Sequence, residues 1–183
     1  MHTAVLVIDV QQGLCEGPDA AYDCPGTIAR INAVTQRARA AGVPVFFVQH
    51  ESSAGYLAHD SREWQLATGL KVQAGDRRIR KTTPDAFLRT DLHEALQALG
   101  IKDLVVCGMH TEFCVDTTTR RALALGYPVT LVADAHTSAG NAALTPQQVI
   151  AHHNATLTNI SSFGPRVRAI NCDDLLANWV LVA

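Results

Sequence analysis

A three-layer α/β fold on a mostly parallel sheet is what this chain's sequence predicts, from three observations. Short apolar runs of strand length alternate with segments of helical period throughout the 183 residues. The first of those runs is apolar without alternation, the mark of a strand buried on both faces, as in a parallel sheet. Hydrophobic residues make up 48% and charged residues 17%, enough to build a well-buried core in one domain spanning residues 1–183.

Taken in order, Thr3-Ala4-Val5-Leu6-Val7-Ile8 reads as the first strand and ends at Asp9. Gln11, Gln12 and Gly13 open a loop through Pro18 and Pro25. Ile28, Ile31, Val34 and Ala38 have helical spacing from Ile28 to Ala41, stopped by Gly42. Val43 to Val48 is the second strand. A polar and aromatic excursion follows, His50 to Gly75, and a loop that long in a compact domain is usually a lid or pocket wall. Arg77 to Lys81 reads as a short strand, and Thr90 caps a helix from Asp91 to about Leu99. Leu104 to Cys107 is a buried strand, Val115 to Leu125 a helix and Pro128 to Ala133 a strand ending at Asp134. Thr145-Pro146-Gln147-Gln148 combines a capping box with proline at the first helical position, opening a helix to about Asn159. Val167 to Ile170 is the last strand and Asp173 to Val180 the last helix.

A formal charge of −2 supplies no basic field for nucleic acid or anionic lipid. No apolar run approaches the roughly 18 residues of a membrane span, and Met1-His2-Thr3 lacks a signal-peptide start, so a cytoplasmic protein with no membrane partner is expected. The five cysteines, Cys15, Cys24, Cys107, Cys114 and Cys172, form no C-x-x-C pair and suggest neither a disulfide framework nor a cysteine zinc site. Phosphate-cradling glycine motifs are absent, and no cofactor is expected.

Three reactive side chains fall at strand carboxyl ends or just beyond: Asp9, Lys81 and Cys114. In a parallel sheet those ends share one edge, so the three can meet in one cleft. Cys114 would lie in the first turn of the Val115 helix, where free N–H groups and the helix dipole lower a thiol's pKa and could also hold an oxyanion. Each residue has a plainer reading, as loop cap, solvated charge or buried small hydrophobe. Together they fit a carboxylate that takes the thiol proton, a cation that steadies the charges and a nucleophilic sulfur.

Ile8-Asp9-Val10-Gln11, Lys81 with Ala86-Phe87 after it, and Gly108-Met109-His110-Thr111-x-x-Cys114-Val115 with Thr117-Thr118 closely resemble the isochorismatase-like cysteine hydrolases, which include nicotinamidases and N-carbamoylsarcosine amidases. The resemblance runs from Val5 to about Asp134. It implies a Rossmann-like α/β/α sheet of about six strands, a catalytic triad of Asp9, Lys81 and Cys114, and a homo-oligomer. It also implies a cis peptide between Met109 and His110, so that the His110 and Cys114 N–H groups form the oxyanion hole. The expected chemistry is cleavage of a small amide or carbamoyl substrate through a thioester.

Departures narrow the choice among relatives. The resemblance places a metal-binding Asp-x-His pair after the second strand in nicotinamidases, where this chain has Gln49-His50-Glu51-Ser52. No metal is therefore expected, although His50, Glu51 and His59 keep a rearranged nicotinamidase site open. Isochorismatases proper, which cleave an ether, typically lack the cysteine, so Cys114 argues against that substrate. Leu14 and Asp85 stand where an aromatic residue and a serine are common. Leu14, His50, Tyr56, Trp64, Phe87 and Phe113 are the expected substrate-pocket residues, and Asp134 with His136 the expected loop-fixing pair. A non-hydrolytic protein that binds a small ligand or senses oxidants through Cys114 is the alternative from another class.

Overall fold

The computed structural model describes residues 2–179 and contains a six-stranded, all-parallel sheet. The strands are β1 (Thr3–Ile8), β2 (Val45–His50), β3 (Arg77–Lys81), β4 (Asp103–Met109), β5 (Val129–Thr137) and β6 (Val167–Ile170), in spatial order β3-β2-β1-β4-β5-β6. The helices are α1 (Gln12–Cys15), α2 (Cys24–Ala40), α3 (Leu92–Ala98), α4 (Asp116–Ala124), α5 (Pro146–Asn159) and α6 (Cys172–Ala177).

Alternate residues of each strand feed two separate cores. Val5, Val7, Val45, Phe47, Val105 and Cys107 pack under α2 and α6 with Ile31, Val34 and Leu175. Ala4, Leu6, Ile8, Phe46, Val48, Leu104 and Val106 pack under α3, α4 and α5 with Leu92, Leu96, Leu123 and Leu157. Helices thus cover both faces. Every residue of β1 is buried, and each large apolar side chain so enclosed contributes about 1.5–3 kcal/mol.

The strand order fixes where a ligand can go. Successive strands run outward from β1 in one direction and from β4 in the other, so the order reverses between these two central neighbours. A crevice opens beyond the carboxyl ends at such a reversal. Asp9 follows β1 there, and the segment carrying Cys114 follows β4.

Gly108 makes that approach possible. It is in register with Ile8, has φ +123°, and a Cβ added there would lie 2.0 Å from the Ile8 carbonyl oxygen. Backbone cannot yield that distance cheaply. Gly108→Ala is expected to cost about 3 kcal/mol or more in denaturant unfolding, and to displace Asp9 with Ile8.

The structure moves several sequence boundaries. β2, β4 and β5 run further toward their carboxyl ends than the apolar runs, because His50, Met109 and His136 continue ladder pairing beyond the last aliphatic residue. The expected loop at Gln12 is a short helix, and α2 begins earlier, at Cys24, with Asp23 accepting from Gly26 N–H. Asp91 rather than Thr90 precedes α3, although the Thr90 hydroxyl still accepts from Leu92 N–H at 3.4 Å. The capping box at Thr145 forms as expected. α6 spans Cys172–Ala177, and the expected helix end at Val180 lies outside the described residues.

Candidate active site

Lys81 closes the edge strand β3, in register with His50. Strands are about 4.8 Å apart, so β1 and β3 are separated by roughly 10 Å across β2, a gap that the long Lys81 side chain and the shorter Asp9 side chain close from opposite sides. Its ammonium donates to Asp9 Oδ2 at 2.7 Å, to Cys114 Sγ at 3.2 Å and to the Thr83 carbonyl at 3.1 Å, and lies 3.1 Å from His50 Nδ1. The Lys81 and Asp9 side chains are 0% and 1% exposed, so this ion pair is fully desolvated. An ammonium has three N–H groups for these four neighbours, so they share its donors, and His50 Nδ1 can only accept from it. Burial, then the Lys81 charge, lowers the His50 pKa and keeps the ring neutral. Asp9 itself has φ +50°, and its Oδ1 is buried without a hydrogen-bond partner. The three residues expected from sequence therefore converge.

The sulfur is not in the electrostatic state that the sequence suggested. Thr111–Val115 is a single π-helical turn that runs directly into α4, so Cys114 does lie in the first turn of that continuous helical stretch. Burial pushes its pKa up to about 12, the Asp9 carboxylate adds to this, and Lys81 opposes it only in part. The expected low-pKa thiolate is thus corrected to a thiol that keeps its proton at neutral pH. The Met109–His110 peptide bond is cis, as the resemblance implied. Phe113 and Val115 N–H groups both donate to the His110 carbonyl, at 3.1 and 3.2 Å. Cys114 N–H stands between them and takes part in neither bond.

A cavity of about 850 Å³ lies beside this turn, lined by Leu14, Tyr56, His110, Glu112 and Phe113 among others. Leu14, Tyr56 and Phe113 fall where the sequence reading put them, and the Tyr56 hydroxyl donates to the Gly13 carbonyl at 2.5 Å. His50 lies instead at the ammonium. Two expectations are corrected. Trp64 is buried with its ring edge-on to His59, and Phe87 is buried against Tyr127 and His93; neither lines the cavity. Both are large side chains that the core absorbed. Four carboxyl groups, Glu16, Asp19, Glu63 and Glu112, face this cavity against one guanidinium, Arg62, which is bonded to Glu16.

The residues that could hold a metal do not gather as the sequence left open. Glu51 binds Arg80 through both carboxylate oxygens, at 2.7 and 2.9 Å, and His59 lies beside Asp60 at 3.4 Å. Asp9, His50 and Cys114 do present ligand atoms within 4.8 Å of one another. The Lys81 ammonium is hydrogen-bonded to all three and already supplies the positive charge that such a set would attract.

Several supporting roles escaped the sequence reading, which quoted Gln11 and Thr118 only as parts of motifs. Gln11 donates to the His50 carbonyl and accepts from His50 N–H at 2.9 and 2.8 Å, and its amide nitrogen also donates to the Trp64 carbonyl at 2.9 Å. Gln49 donates to that same carbonyl at 3.0 Å, so two buried amides anchor the long loop. The Thr118 hydroxyl accepts from Ala86 N–H at 3.1 Å and ties α4 to the segment after Lys81. A polar side chain inside or beside an apolar run, as at Gln49, is the signal that could have found them.

His136 belongs to β5 and not to a loop, and its Nδ1 lies 2.8 Å from the Thr111 hydroxyl, bracing the π-helical turn. Burial lowers its pKa to about 4. The unfolded chain takes up this proton below about pH 6.5 while the fold resists it. The resulting stability is therefore full above about 6.5 and lost as pH falls to about 4, by about 3 kcal/mol in total. Denaturant unfolding at pH 7 and pH 4.5 should show that loss, and His136→Asn should reduce it.

Comparison with known proteins places this geometry. The Isochorismatase domain matches residues 3–162. The chain belongs to the isochorismatase family. Streptothricin hydrolase of Streptomyces noursei is 38% identical over 136 residues, covering 73% of this chain and 49% of that protein, so the match spans about half of that relative. Ureidoacrylate amidohydrolase RutB of Caulobacter segnis is 30% identical over 88% of this chain and 80% of its own length. A crystal structure of an isochorismatase family protein superposes with a TM-score of 0.85 at 34% identity, covering 93% of this chain and 98% of that one.

Proposed function

We propose that this isochorismatase-family protein is a cysteine-dependent hydrolase of a small amide or carbamoyl C–N bond. The observation that carries the reading is the meeting of a buried carboxylate, a buried ammonium and a thiol within hydrogen-bonding range around Lys81. The names of the relatives, a hydrolase and an amidohydrolase, support it.

Because the sulfur holds its proton at rest, attack and deprotonation belong to one step. The Cys114 proton passes to Asp9 Oδ1, the oxygen left without a partner, as sulfur bonds to the carbonyl carbon. The oxyanion is received by the His110 and Cys114 N–H groups. The C–N bond then breaks, the nitrogen leaves with the proton from Asp9, and a thioester remains. Water gives a proton to Asp9 and attacks the thioester carbon; the C–S bond breaks and the sulfur recovers its proton.

The cavity's carboxyl groups favour an amide that carries a cationic group over one that carries a carboxylate. With a matched panel of neutral, amine-bearing and carboxylate-bearing amides, kcat/KM is expected to be higher for the amine than for the carboxylate by about tenfold or more, and to converge at high salt. A preference for the carboxylate would overturn the charge reading. An acyl adduct on Cys114, seen by intact mass during turnover, tests the thioester, and turnover without one under rapid quench counts against it.

A further inference from the structure

Outside the catalytic group, two thiols stand as a pair. Cys15 ends α1 and Cys24 begins α2, and the chain between them folds back on itself. Ala21 N–H donates to the Leu14 carbonyl at 3.0 Å, and the Cys24 thiol donates to the same carbonyl at 3.8 Å. The Cys24 sulfur thus lies against the backbone of the residue preceding Cys15, and a hydrogen bond between the two thiols raises the pKa of Cys15 and lowers that of Cys24, which stands in the first turn of a long helix. Both line an open cavity of about 390 Å³, separate from the larger one, which gives a small oxidant a route to the sulfurs.

What lies between the thiols matters for the larger cavity. Glu16, Gly17, Pro18 and Asp19 form part of its wall, so the cysteines bracket that wall at both ends. Cys15 Sγ is also 3.9 Å from Met109 Sδ, one residue before the His110 N–H assigned above to the oxyanion.

We propose that Cys15 and Cys24 are a modification site that closes to a reversible disulfide under hydrogen peroxide and tethers the 16–23 segment. The Cys24 thiolate attacks one peroxide oxygen, the O–O bond breaks, and hydroxide leaves as water after taking a proton. This gives a sulfenic acid. The Cys15 sulfur then attacks the Cys24 sulfur, and the sulfenic oxygen departs as a second water with the Cys15 proton. Two thiols and one peroxide become a disulfide and two waters. Cys114, held as the thiol by its burial, reacts more slowly.

The test uses the full chain carrying Cys114→Ser, so that it is independent of the hydrolase reading. After peroxide treatment and digestion without reductant, a single linked pair of peptides holding Cys15 and Cys24 is expected. The intact mass should fall by two hydrogens, dithiothreitol should reverse the change, and Cys24→Ser should prevent it. Proteolysis within 16–23 should slow several-fold on oxidation. Oxygen added to Cys24 without linkage, linkage to another cysteine or an unchanged mass overturns the proposal, and linkage with unaltered proteolysis overturns the tether. Loss of turnover that dithiothreitol restores in the otherwise native chain, and that Cys24→Ser abolishes, would extend the switch to whatever reaction the protein catalyses.

Discussion

Replacing Lys81 by methionine is expected to cost about 3–5 kcal/mol of stability and to abolish hydrolysis. Methionine keeps much of the side chain's volume and removes its charge, so the effect isolates the ammonium. Without it the Asp9 carboxylate, 1% exposed, has no cation to offset its desolvation. Adding Asp9→Leu removes the stranded charge, so the double variant should recover most of the stability and none of the activity. Urea unfolding of the three proteins checks this. A single variant as stable as the native chain would mean that water reaches the pair.

What the sequence disclosed follows the range of the forces involved. Strand cores and helix stops are written in local pattern, which is why β1, β3, β6 and the start of α5 fall where the sequence placed them. Asp9, Lys81 and Cys114 were legible because strand ends in a parallel sheet share an edge, whatever the strand order. The sulfur's protonation was not. It depends on how deeply the turn is buried and on the Asp9 and Lys81 charges brought up to it from β1 and β3, tertiary quantities that no local motif carries. Trp64 and Phe87 failed as pocket residues for a related reason. An aromatic side chain in a sequence announces area to be buried, but not the side from which the burial comes. Gln11 and Gln49 show the opposite case: polar groups enclosed at 0% exposure must be bonded, so their place beside apolar runs already implied partners, if not which ones.

Cys114→Ala is expected to lower turnover to the uncatalysed background, on the order of 10⁶-fold, while leaving stability within about 1 kcal/mol of the native chain. The contrast with Lys81 arises from what each deletion leaves behind. Removing the sulfur opens a small space and strands no charge, since Lys81 still holds Asp9 at 2.7 Å. It also removes a proton donor and not a thiolate, because burial keeps the resting sulfur protonated, with a pKa of about 12. Cys114→Ser keeps a proton donor in nearly the same place and should retain substrate affinity, yet an alkoxide is harder to form than a thiolate, so acylation should still fail. Substrate binding by calorimetry, turnover and intact mass on both variants separate these roles. Turnover retained by Cys114→Ala would remove the thioester from the mechanism, and the buried ion pair would then need another nucleophile to serve.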